Sequence, residues 1–160
     1  MRWAAAAAVI LAAALLQSAW GPRLEIVGAF PNLVLLVVLA GAWTLGPRAG
    51  MAWACAGGLL LDLLAAGPLG PHALALVPGA YAIGLLARGR HQPHALVVAA
   101  AAAVMTVFYS AVLVLFHPAP AGTAMRLAVA AALYNSLLAP FVFGPVRRMV
   151  LGTITRRAQA

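Results

Sequence analysis

The chain has 160 residues, of which 66% are hydrophobic and 8% charged, and its mean hydropathy is +1.04. A water-facing domain carries about 25% charged residues, so a soluble globular fold is excluded and lipid is the expected solvent. Ten basic residues, all arginine, stand against two acids for a formal net charge of +8. No stretch is long enough to fold into a basic surface, so the charge reads as membrane topology and nucleic acid is not an expected partner. The single cysteine, Cys55, sits in an apolar run, which gives neither a disulfide framework nor a paired-cysteine motif.

A helix needs about 20 apolar residues to cross the hydrocarbon, and about 17 are tolerated. Six runs meet this length, over 3–20, 30–46, 49–66, 71–87, 94–116 and 124–146, and a basic tail follows over 147–160. The expected fold is an all-α polytopic membrane domain of six transmembrane helices. The first run is alanine-rich, and Arg2 ahead of it also admits a signal peptide. Cleavage after Ala19 or Ser18, however, would put Gln17 or Leu16 where a small residue is needed, so the run is read as a span. Pro31-Asn32 opens the second run, either as a capped helix start or as a polar partner site. In the third run Gly50, Ala54, Gly57 and Gly58 form a small-residue stripe that lets another helix approach closely. Gly67-Pro68-Leu69-Gly70 then turns the chain into the fourth run. Pro78-Gly79 in the fourth run and Pro140 in the sixth are bends that line a cavity or serve packing alone. No connection has room for an extramembrane domain.

Arginines near helix ends are retained on the cytoplasmic side. With both termini inside, Arg2, Arg48, Arg88, Arg90, Arg147, Arg148, Arg156 and Arg157 are cytoplasmic, and Arg23 and Arg126 are outside. This asymmetry supports six spans, because adding or removing one would scatter the later arginines over both faces. The cytoplasmic set is also expected to meet anionic lipid, at about 1 kcal/mol per residue.

An ionisable side chain at mid-membrane costs about 2.5 to 3.5 kcal/mol on insertion scales, so Asp62 is the chief polar candidate. It lies six residues before Pro68, roughly 9 Å below the outer surface at a helical rise. Tyr109 and Ser110 match its depth best, and Asn135 is a second polar group expected to point inward. Asp62 is either a structural acid bonded to hydroxyls or helix-end amides, or part of a partner or ligand site. Asn135 is either an interhelical clamp or part of that same site.

Catalytic arrangements are mostly excluded by inventory. The acids Glu25 and Asp62 fall in different settings, and there is no lysine for a Schiff base or a nucleotide loop. Ser18, Ser110 and Ser136 lie outside any nucleophile motif, and His91 and His94 flank Pro93 without a carboxylate or cysteine. No enzyme activity, metal or cofactor is expected.

Taken together, Pro31-Asn32-Leu33, Gly57-Gly58-x-x-x-Asp62 followed by Gly67-Pro68-Leu69-Gly70, and Tyr134-Asn135 before Ala139-Pro140 and a basic end resemble the MreD family of rod shape-determining proteins. The family often has an acid where this chain has Asn32. The resemblance implies a non-enzymatic inner-membrane subunit of the cell-wall elongation machinery. Its implied partners are the single-span protein MreC and, with it, MreB filaments and the glycosyltransferase and transpeptidase pair that builds peptidoglycan. It also implies a fold similar to the substrate-binding subunit of energy-coupling-factor transporters, which keeps a solute-binding role as the alternative. In that alternative Asp62, Tyr109 and Asn135 line an outward-open cavity near Pro78-Gly79. In the scaffold reading the stripe around Gly58 docks a partner's helix.

Overall fold

The computed structural model describes residues 2–25, 28–65, 67–89 and 93–158. Arg90 and His91 lie outside the described residues, as do the side chains of Arg2, Arg156 and Arg157. The described elements are helical: α1 Arg2–Trp20, α2 Leu33–Leu45, α3 Pro47–Leu64, α4 Pro71–Leu86, α5 Ala95–Phe116 and α6 Ala121–Ala158, with a short 3-10 turn at Gly21–Leu24.

The innermost element is α2. Its sequence is apolar all round, and it is buried without a break from Val34 to Trp43. All five other helices pack on it. With 13 residues it is only about 20 Å long. Among the described residues two helices are long and apolar enough to cross a membrane, α5 and the Ala121–Gly152 part of α6, whereas α1, α2 and α4 contribute shorter apolar stretches. Six runs long enough to span were expected, and fewer helices meet that length in the structure. The second begins at Leu33 and not at 30, because Asn32 is the cap and Pro31 precedes it. The sixth passes through Pro140 and Pro145 and runs on beyond 146 to Ala158, so the expected tail is continuous with the helix. Outside the core the polarity is that of a lipid-facing surface: Leu96, Leu115 and Phe141 are 82%, 78% and 76% exposed.

Gly46 joins α2 to α3 unaided. Its φ of 87° is open to glycine at little cost; its N–H ends α2 on the Ala42 carbonyl at 3.0 Å, and its carbonyl starts α3 by accepting from Gly50 at 3.0 Å. Close packing then folds α3 onto its neighbours. A Cβ on Gly58 would stand 2.3 Å from Ala73 Cα of α4. One on Gly50 would meet Ala42 of α2 at 2.6 Å, and one on Gly57 would meet Val34 at 2.7 Å. Ala54 is fully buried. The stripe expected to dock a partner's helix thus faces helices of its own chain. Gly58→Ala is expected to destabilise the fold by about 1–3 kcal/mol, since backbone stands in the way. Gly152, inside α6 with nothing within 4 Å of its Cβ position and no proline after it, should gain up to about 1 kcal/mol as alanine. Melting the two variants in detergent side by side checks both signs.

Candidate functional site

The polar side chains inside the bundle converge on the ends where α2 and α4 begin. A helix start leaves its first amides without intrahelical acceptors, and in an apolar surrounding each must find another partner. For α4 the partner is Asp62, near the end of α3. Its Oδ2 accepts from the Gly70 amide at 2.9 Å, and its Oδ1 accepts from the His72 amide at 3.0 Å and from His72 Nδ1 at 2.7 Å. Gly70 takes the left-handed conformation at φ 118°, and Pro71, with no N–H to satisfy, is the first helical residue. The loop Gly67-Pro68-Leu69-Gly70 therefore returns the chain so that the acid caps the next helix. Asp62 is 1% exposed.

For α2 the caps come from three helices' worth of sequence. Asn32 Oδ1 accepts from the Leu35 amide at 2.9 Å, and Gln17 Oε1 of α1 accepts from the Val34 amide at 3.1 Å. Asn135 Oδ1 of α6 accepts from the Asn32 amide at 2.9 Å, and Asn135 Nδ2 donates to Thr106 Oγ1 of α5 at 3.0 Å. Thr106 in turn donates to the Ala102 carbonyl at 2.7 Å. The Tyr109 hydroxyl meets the Asn32 side chain. One chain of hydrogen bonds thus ties α5 and α6 to the start of α2, with α1 joined to it through Gln17.

The two caps meet at a ring contact, with His72 and Tyr109 centroids 5.9 Å apart. Both border a half-open cavity of about 350 Å³, whose walls include Gln17, Asn32, His72, Tyr109, Asn135 and Ala128. Tyr109 and Ser110, the expected partners of Asp62, are cavity-lining residues, and the acid pairs with His72. Depth along a straight helix favoured Tyr109, but the Gly-Pro turn brings His72 and its backbone closer. Pro78-Gly79 does not line this cavity; Gly79 packs against Met105 of α5. Gln17, His72 and Thr106 were not singled out in the sequence. The available signal was a glutamine and a threonine within apolar runs, and a histidine directly after a Gly-Pro helix start. Arg48 and Arg88 are exposed at the helix ends opposite those that Asp62 and Asn32 cap, and within α6 Arg148 is exposed and Arg147 half-buried. Among the described residues no three His, Cys, Asp or Glu side chains come together as a metal site.

Compared with known families, residues 1–149 match the model of rod shape-determining protein MreD. The chain belongs to the MreD family. Membership places it among membrane proteins that determine rod shape, a family not known for enzymatic activity. No characterised protein and no solved structure matches the chain, so the implied similarity to the energy-coupling-factor subunit has no support.

Proposed function

We propose that the chain is a multi-pass inner-membrane scaffold of cell-wall elongation, with both termini cytoplasmic, that binds an MreC-like single-span protein. Through that protein it joins MreB filaments and the glycosyltransferase and transpeptidase pair. The observation that carries the reading is how the buried polar groups are used. Asp62, Asn32, Asn135 and Gln17 hold helix starts in place, and a rigid rim around an open cavity is what a docking protein needs. A solute site would need several polar groups free to converge on a ligand, and here their acceptors are engaged by backbone amides.

Ala128 lies half-buried on the cavity wall, so Ala128→Phe fills the cavity while every residue that makes a cap hydrogen bond is left in place. The expected result is recovery of the single-span partner reduced about tenfold, or about 1.4 kcal/mol, in a mild-detergent pull-down read by mass spectrometry, with the melting profile unchanged. Unchanged recovery would remove the cavity from the interface. Capture of paired ATPase subunits with their membrane coupler would replace the scaffold with a transporter subunit.

A further inference from the structure

The caps leave two nitrogens of the cavity rim unused. Gln17 Oε1 accepts from the Val34 amide at 3.1 Å, which fixes the side-chain amide so that Nε2, a donor, points elsewhere. Gln17 is 8% exposed, so this donor has little water to turn to. The Asp62 carboxylate accepts from two backbone amides and takes a third hydrogen bond from His72 Nδ1 at 2.7 Å. The neutral imidazole is then left with Nε2 as an acceptor. No described residue bonds to either Nε2. The two share a setting: Gln17, Phe30 and His72 border the half-open cavity of about 350 Å³ and also a smaller space of about 260 Å³ against Leu61 and Leu64 of α3. A donor on α1 and an acceptor on α4 therefore stand where two spaces join. Leu113 and Val114 of α5 and Leu127 of α6 make much of the remaining wall apolar. Among the described residues no arginine, aspartate or glutamate lines either space.

We infer that this junction binds the carboxamide of an Asn or Gln side chain carried on the spanning helix of the single-span partner, which rests on the scaffold reading above. The carboxamide oxygen accepts from Gln17 Nε2, and its N–H donates to His72 Nε2. With no guanidinium or spare carboxylate in the walls, a charged occupant would be buried unpaired, a cost that a neutral group avoids. A carboxamide carries its acceptor and its donor on two neighbouring atoms and so meets both nitrogens at once, whereas a hydroxyl has one oxygen for the two. The backbone amides of a spanning helix are taken up within that helix, so the group comes from a side chain. Amide side chains are among those that hydrogen-bond from one helix to another in lipid.

The test begins with photocrosslinking in native membranes. Phe30, which borders both spaces and is 47% exposed, is replaced by p-benzoylphenylalanine in the full chain, and the crosslinked product is mapped by mass spectrometry. The expected product is the spanning helix of the single-span partner, joined within about one turn of an Asn or Gln. A product with lipid alone, or with a spanning helix that has neither residue near the joint, would overturn the site. Pull-downs of the partner then read the bond itself. Gln17→Glu keeps an oxygen for the Val34 amide and removes the donor, and His72→Phe keeps a ring and removes the acceptor. Each is expected to lower recovery about tenfold. Changing the partner's Asn or Gln to Leu should lower recovery as much, and adding Gln17→Glu to it should cost little more. That lack of additivity separates recognition from a general loosening of the cap, which would add to the partner's substitution in full and overturn the site. Full recovery by both variants, with the partner bound to the unsubstituted chain, would overturn the carboxamide site and leave the scaffold standing. No single-span protein on the unsubstituted chain would overturn both.

Discussion

Asp62→Ala is expected to release the start of α4 and to cost about 2 to 6 kcal/mol, since two backbone amides lose their acceptor at about 1–3 kcal/mol each. Both amides, of Gly70 and His72, point at the carboxylate, and the His72 ring adds a third bond. Asp62 is 1% exposed, so water cannot replace the lost acceptor cheaply. Asp62→Asn separates geometry from charge. Its carbonyl oxygen keeps the acceptor on one side, but its amide group turns a donor toward whichever backbone N–H lay on the other. The asparagine variant should therefore retain part of the stability and part of the rod-shape complementation, while the alanine variant loses most of both. Equal loss in the two, measured by melting in detergent and by cell shape, would show that the charge itself is required. His72→Ala is the internal reference. It removes the ring bond yet leaves both amides on the carboxylate, so its effect should be the smallest of the three.

The reason Asp62 was legible as important and illegible in its role lies in the kind of information a sequence carries. One acid in a nearly uncharged run stands out by cost alone, and the Gly-Pro turn behind it marks a helix start. The partner of the acid depends on how α3 and α4 fold back on each other, which the positive φ at Gly70 and the close approach of Gly58 to Ala73 determine. Asn32 was readable as a cap because its target, the Leu35 amide, is local. Gln17 performs the same service from another helix, and nothing in its neighbourhood announces that. The shortness of α2, 13 residues where a run over 30–46 was expected, was hidden for a related reason. α2 is as apolar as any span, but its burial on every side lets it be short, whereas hydropathy responds alike to lipid and to protein.

Asn135→Ala should have the second large effect, because this side chain joins three helices at a point with no exposure. Its loss strands the Asn32 amide, at about 1–3 kcal/mol, and leaves a void between α2, α5 and α6. A total of about 2 to 4 kcal/mol is expected, in line with cavity-forming substitutions at buried sites. Thr106 loses a donor but keeps its own bond to Ala102, so Thr106→Val should cost far less, about 0.6 kcal/mol, the usual size of an interhelical hydrogen bond in a membrane. The two substitutions share one bond, and the double variant should therefore fall short of the sum of the single ones. Thermal melts of the four proteins in one detergent give the coupling directly. Strict additivity would show that Asn135 and Thr106 act apart, and an unaltered melt for Asn135→Ala would remove α6 from the cap of α2. If the coupling is found, the outer rim is a single cooperative unit. Substitutions that loosen it should then weaken partner binding in proportion to the stability they remove, even where the partner never touches them.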